Sequence, residues 1–317
     1  MLKVPFFFFS PRVAFLDDNK IFLESLGAYL SEAYETFTTS SPTSFIDELK
    51  KSSIQTNLLD LVIQEDDYSA EQSMVSINLI NLHSKLLELF AKKKPISVAF
   101  IDFDMPQEDG VSVCKKITYV GTKKVFLTGE LDEAGAVEAF NEGLIAGYLN
   151  KNSEEVIEQI KGSIERLHSV YLEELGNLYL PFLVKNLSLL ELYGIPTFCE
   201  LFSKILKQYS ITQGCIYEMS GSQFLKDREG NAYLINVYGK EEIDYLVLPH
   251  LEEILLEDAF KNELLNFQSV LDYKSPQRTE IPDLKEWKNL TTSSFSIIKS
   301  SKSTYFVTFK AFDSSGL

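Results

Sequence analysis

The chain has 317 residues, 45% apolar and 24% charged, with a formal net charge of −16. That length allows two domains with separate cores. The excess of acid excludes a general nucleic-acid footprint, which needs clustered Lys and Arg, and no apolar run reaches the roughly eighteen residues of a membrane span.

The opening MLKVPFFFFSPR is apolar, but Pro5, Pro11 and Arg12 interrupt it too soon for a secretion signal. Its four phenylalanines read as a strap packed on its own domain or on a partner subunit. VAFLDD (13–18) reads as a buried strand and NKIFLESLGAYLSEAY as the helix after it. ETFTTS follows, then a helix opening at SPTSFIDEL with Ser41 or Thr43 as its cap. SVAFIDF (97–103), KKVFLTG (123–129) and AGYLN (146–150) are three further strands, with helices after Asp109, Asp132 and Ser153. Five βα units in a row imply an α/β fold with an open parallel sheet and right-handed crossovers. In such sheets chemistry gathers at the carboxyl ends of the strands. Asp17, Asp18, Asp102, Thr128 and Lys151 all fall there.

FIDFDMPQEDG (100–110) sets Asp102, Asp104, Glu108 and Asp109 directly behind the apolar run ISVAF. A strand leaving a core has no structural need for acids at its tip. For Asp109 and Asp132, helix capping is as good an account as chemistry. For Asp17, Asp18 and Asp102 together it is a poor one, because carboxylates crowded without a counter-charge repel one another.

In this order over residues 13–175, FLDD, FIDFDMPQEDG, FLTG and GYLNK resemble the receiver domain of two-component response regulators, the CheY-like fold. The resemblance implies a five-stranded parallel, flavodoxin-like domain over 1–175. It implies that Asp102 is the phosphoacceptor and that Asp17, Asp18, Asp102 and the backbone carbonyl of Asp104 hold Mg²⁺. Thr128 would bond a phosphoryl oxygen, Lys151 would pair with the phosphate, and Tyr148 would be the aromatic switch. The side chains of Asp104 and Glu130 would flank the water that hydrolyses the acyl phosphate. The implied partner is a sensor histidine kinase or a phosphotransfer protein, and the implied chemistry is limited to self-phosphorylation and autodephosphorylation. Physical chemistry agrees, since phosphoryl transfer to a carboxylate needs a divalent ion and a cation to offset developing charge. Mg²⁺ takes oxygen ligands and keeps some of its waters.

Two departures stand out. Asn152 follows Lys151 where the family has Pro, which leaves the isomer of that bond, cis or trans, open. The path from Asp18 to Asp102 is also too long, which places a helical insert at about 54–95. Within it, SMVSINLINLHSKLLELFAKKK (73–94) lines up Val75, Leu79, Leu82, Leu86 and Leu89/Phe90 on one amphipathic seam. That seam packs on its own sheet or at a dimer contact, and His83 beside it reads as structural.

Beyond Lys151, Ile157, Ile160, Ile164, Leu167, Tyr171 and Leu175 extend the last helix over 153–175 as a connector whose seam is open to a dimer. Gly176 and Pro181 end it. Residues 185–317 read as an α+β output domain with an antiparallel sheet. It has a helix at 197–209, strands in GCIYEMSG, SQFLKD and AYLINVY, a helical stretch after Lys240, and a closing hairpin of SSFSIIK and TYFVTFKAF. This half carries fourteen basic and eighteen acidic residues and no basic recognition helix, so DNA binding is not supported. IPDLKEWK echoes the PD…ExK signature of nucleases, but its compression favours coincidence, with Trp287 as a packing residue.

Three widely spaced cysteines, Cys114, Cys199 and Cys215, suit a reducing cytoplasm. A long insert before an output half without DNA-binding features also resembles the quorum-sensing response regulators of Legionella. That implies output through partner contacts or a phosphorylation-modulated homodimer. Two alternatives remain open. One is a haloacid-dehalogenase-like phosphatase with Asp102 as nucleophile and Asp104 as general acid; the other is an interaction scaffold that is never phosphorylated.

Overall fold

The computed structural model describes residues 4–54, 92–117, 121–129, 133–177, 187–247, 270–272, 274 and 287–313. The chain divides into two units. One holds the described residues from Ser10 to Asn177, the other the described residues before Ser10 and from Leu187 onward.

The first unit is a five-stranded parallel sheet, formed by β2 (Arg12–Leu16), β3 (Glu35–Thr39), β4 (Ile96–Asp102), β5 (Lys123–Thr128) and β6 (Gly147–Asn150). Its spatial order is β3-β2-β4-β5-β6, and every pairing is parallel. The order reverses between β2 and β4, so a crevice opens at their carboxyl ends. β4, ISVAFID, is buried along its whole length, as a central strand covered on both faces must be.

Alternate residues of these strands feed two cores. On one face Val13, Phe15, Val98, Phe100, Val125 and Leu127 meet Leu23, Leu26 and Leu30 of α1 (Lys20–Leu30) and Ile160, Ile164 and Leu167 of α5 (Val156–Asn177). Phe15 and Phe100 stack with ring centroids 4.9 Å apart. On the other face Ala14, Leu16, Ala99, Ile101 and Phe126 meet α2 (Pro42–Ser52), α3 (Gly110–Lys116) and α4 (Glu133–Asn141). Ser41 caps α2 by accepting from the Ser44 N–H, at 3.3 Å.

Two expectations change here. The spacing along α5 predicts a seam open to a dimer, but its own sheet covers it. Ile160, Ile164 and Leu167 are 0–2% exposed, and Tyr171 and Leu175 are buried too. The aliphatic face of β4 and β5 has to be covered, and a three-four spacing does that as readily as it makes a coiled-coil seam. Second, the first unit begins at Ser10 rather than at residue 1. The phenylalanine strap forms β1 (Phe7–Phe8) and belongs to the second unit, where it pairs antiparallel with β7 (Ile211–Ile216). The insert helix and His83 lie outside the described residues.

The second unit is α+β. Its six-stranded antiparallel sheet has the order β1-β7-β8-β9-β13-β12. The strands are β1, β7 (Ile211–Ile216), β8 (Gln223–Asp227), β9 (Ala232–Gly239), β12 (Phe295–Lys299) and β13 (Thr304–Phe312). Helices α6 (Leu187–Gly194), α7 (Pro196–Gln208), α8 (Lys240–Val247) and the short α9 (Trp287–Leu290) accompany it, as does a small pair of β10 (Val270–Leu271) with β11 (Thr291–Thr292). β7 starts three residues earlier than GCIYEMSG suggests and stops at Ile216.

A buried polar network fixes this unit. Lys274, 2% exposed, places Nζ 3.2 Å from Glu218, 2.7 Å from Glu242 and 4.6 Å from the Tyr238 ring centroid. Asp272 accepts from the Tyr238 hydroxyl at 2.9 Å and pairs with Lys310 at 3.1 Å. Removing one partner would strand a buried charge, whereas the intact set fixes register.

The covered seam gives a test. Ile164→Ala should lower the stability of the first unit by about 2–5 kcal/mol, as for a large-to-small change in a sealed core. Urea denaturation should give the same shifted midpoint at low and high protein concentration. A midpoint that moves with concentration would return the seam to a dimer interface.

Candidate functional site

Asp17 follows β2 directly, and its N–H donates to Thr39 O at 3.3 Å, which continues the sheet one residue further. Its side chain is wholly buried. Oδ1 accepts from the Asn19 N–H at 2.9 Å, and Asn19 in turn caps α1 by accepting from the Phe22 N–H at 3.1 Å. Asp18 is exposed at the mouth. Asp102 ends β4 at 4% exposure, next to β2 and therefore beside Asp17.

Lys151 closes the group. Its Nζ lies 2.6 Å from Asp17 Oδ2 and 2.7 Å from Asp102 Oδ1. Its backbone N–H donates to Thr128 O at 2.9 Å, which anchors the turn to the end of β5. The Phe22 ring centroid is 5.7 Å from the same Nζ, within reach of a cation–π contact. The Lys151–Asn152 bond is trans. Sequence reasoning passed over Asn19 and Phe22. An Asn between an acidic pair and an apolar-periodic run is a cap signal, but nothing local marks Phe22 as a neighbour of Lys151.

Thr128 is buried at the tip of β5, its hydroxyl 3.5 Å from Leu149 O, at the outer limit of a hydrogen bond. Asp102 is in register with Leu127, one residue before Thr128. Tyr148 of β6 is in register with Phe126 of β5 and is 39% exposed. Asp104 is exposed; its N–H reaches Asp102 Oδ1 at 3.4 Å. Glu130 lies outside the described residues.

The remaining acids of the 100–110 stretch are structural. Asp109 caps α3, accepting from the Ser112 N–H at 2.7 Å and the Ser112 hydroxyl at 2.9 Å. These bonds, the backbone one first, hold its carboxyl below the usual range. Glu108 pairs with Lys116 at 2.6 Å. Gly110 is needed for close approach, because a Cβ there would stand 2.5 Å from the backbone oxygen of Asp102.

The electrostatics of the mouth are unbalanced. Burial pushes the Asp102 carboxyl up to about 6; the nearby Asp17 charge also raises it, while Lys151 and the Asp104 N–H pull it down. Asp17, Asp18 and Asp102 each offer an oxygen, and these three atoms lie within 4.8 Å of one another. Asp17 Oδ2 is buried and meets the Lys151 ammonium at 2.6 Å. Three carboxylates against one ammonium fit a hard divalent cation such as Mg²⁺.

The raised carboxyl has a consequence for stability. Asp102 is neutral in both states well below pH 4; as pH rises, the unfolded chain gives up its proton first. The contribution of Asp102 therefore falls between about pH 4 and the folded value near 6. Without metal, Asp102→Asn should gain stability over the unmutated chain across that window, read as a widening gap between urea midpoints. A gap that stays constant or narrows would contradict the raised value.

No family model and no curated protein matches the chain. Among solved structures, the Legionella pneumophila response regulator LqsR is similar over 98% of this chain and 90% of its own, with a TM-score of 0.72 and 22% identity. A response regulator receiver domain protein from Clostridium thermocellum matches 49% of this chain and 95% of its own at 20% identity, TM-score 0.31. A CheY-like receiver domain protein from Methanospirillum hungatei matches 50% and 98% at 17% identity, TM-score 0.33. Among the described residues no helix is long and apolar enough to cross a membrane. Over nearly its whole length, the chain shares the fold of that Legionella response regulator, here a five-stranded parallel, flavodoxin-like unit and an α+β unit with an antiparallel sheet.

Proposed function

We propose that this chain is a two-component response regulator in which Asp102 accepts a phosphoryl group in a Mg²⁺-dependent reaction. The observation that carries the reading is the buried Asp102, in reach of both a neighbouring pair of carboxylates and Lys151. Asp17, Asp18 and Asp102 would hold the ion, with the backbone carbonyl of Asp104 as a further ligand. Bound there, Mg²⁺ would neutralise charge on the incoming phosphoryl group.

Asp102 is the nucleophile. Its carboxylate oxygen bonds to phosphorus, while the bond from phosphorus to a histidine nitrogen or to the oxygen of a small acyl phosphate breaks. Lys151 then exchanges an Asp102 oxygen for a phosphoryl oxygen, and the Thr128 hydroxyl donates to another. Asp104, exposed beside Asp102, would border the approach of hydrolytic water and set the lifetime of the acyl phosphate, a role the sequence resemblance also gives Glu130. The donor is a sensor histidine kinase or a phosphotransfer protein.

Acetyl phosphate with Mg²⁺ should add one phosphoryl group, read by intact-mass analysis, and Asp102→Asn or removal of Mg²⁺ should abolish it. The same adduct on the Asn variant would refute the assignment.

The switch acts on self-association. Phosphorylation adds about −1.5 to −2 charges at pH 7, which draws Thr128 and Lys151 together and lets Tyr148 turn inward. Val137, Phe140 and Tyr148 on α4 and β6 are large apolar side chains that the unmodified protein leaves 39–49% exposed, and they form the face that repacks. Light scattering with and without beryllofluoride should show a change in mass for the unmutated chain and none for Asp102→Asn. The same mass in every state would sink the dimer switch while leaving phosphorylation untouched.

A further inference from the structure

The strand β1 belongs to one unit and the chain that continues it to the other. Val4, Phe6, Phe7 and Phe9 are 0–8% exposed. Phe7 and Phe8 pair with Cys215 and Gly214, and the Ile216 N–H donates to Phe6 O at 2.7 Å. The fully buried Gln223 gives one amide hydrogen to Pro5 O at 3.1 Å and contacts the Tyr193 hydroxyl at 2.7 Å. Phe6 packs at 5.7 Å on the Tyr193 ring of α6, and Phe8 meets Phe202 of α7 edge-on at 6.1 Å. Gly214 makes room for Phe8, since a Cβ there would stand 2.5 Å from its ring. This is strand addition with matched side-chain pockets, so the edge of β7 is a docking site shaped for this segment. After Phe8 only three residues, Phe9, Ser10 and Pro11, precede Arg12, where β2 of the receiver begins. Three residues span at most about 10 Å, and the proline stiffens the link.

We infer that the β7 edge is a docking site for the chain's own Val4–Phe9 segment and that this strand couples the output sheet directly to β2 of the receiver. The receiver therefore interrupts the output domain, and any displacement of its first strand is passed to β7 through a link too short to absorb it. The coupling holds whatever chemistry occurs at Asp102, so a failure of phosphoryl labelling would not touch it.

The full-length chain provides the test. Phe8→Ala removes the ring lodged against Gly214 and Phe202 but keeps the strand backbone. Amide hydrogen exchange is followed at Ile216, whose N–H the strand satisfies, and at the start of β2 (Arg12–Ala14). Exchange should accelerate about tenfold at Ile216 and about threefold at the start of β2, as for a locally opened segment. Adding Phe7→Cys permits a disulfide to the native Cys215. The two positions form the non-hydrogen-bonded pair of the ladder, the closer of the two kinds and suited to a disulfide. Oxidation should return both sites to unmutated rates. A flexible Gly-Ser insertion between Phe9 and Ser10 should remove the β2 response alone. Should Phe8→Ala fail to fold, reduced and oxidised Phe7→Cys give the same comparison. Acceleration at Ile216 with β2 unmoved makes the strand a passive edge and overturns the coupling. Unchanged exchange at both sites removes the docking role, and a disulfide joining two chains hands the site to a second copy; either result overturns the inference.

Discussion

One lysine shared by two buried carboxylates is the constraint around which the parallel-sheet unit is arranged. Asp17 and Asp102 come from neighbouring strands, so their separation is fixed by the sheet and not by any loop. Lys151 reaches them from beyond β6, and its backbone is pinned to the end of β5. Swapping two strands would part the acids or carry the lysine out of range. The charge is still unequal, since Asp18 adds a third acid at the rim. A site left short of positive charge in a low-dielectric crevice is poised to take up a cation. It also cannot settle into an inert salt bridge.

Much of this was legible in the sequence, for identifiable reasons. Strands buried on both faces show as apolar runs such as ISVAF and VAFL, and parallel sheets place their functional tips at one end. Asp17, Asp18, Asp102 and Lys151 stand at those tips, and the structure brings them together. Thr128 and Tyr148 lie where their strands put them, but Tyr148 faces outward. What could not be read is equally physical. The three-four spacing of Ile160, Ile164 and Leu167 does not say whether the surface it meets is a sheet of the same chain or another helix. Phe22 approaches Lys151 across more than a hundred residues of chain. The partner of a two-residue strand cannot be inferred from periodicity at all.

The output unit follows a different logic. Its interior is partly polar, with Lys274, Asp272, Asn236, Tyr217 and Tyr238 linked below the surface. A network of this kind is unforgiving, because each group depends on its neighbours to replace lost hydration. It favours one arrangement over a set of near-equivalent packings. No single residue in the network is marked out by sequence pattern, which explains why the second half yielded its strands more readily than its core.

The position of β1 also matters before the protein is finished. Val4 to Phe9 are made some two hundred residues before their partner strand, Ile211–Ile216. In between, the receiver has time to fold, whereas a run of four phenylalanines waits without a mate. Long-range pairing of this kind is slow to form, and an unpaired aromatic strand is a nucleus for aggregation. Nascent chains thus carry this unpaired aromatic segment through the synthesis of the whole first unit. Pro5 and Pro11, which flank it and cannot extend a β-ladder, are placed to limit the damage.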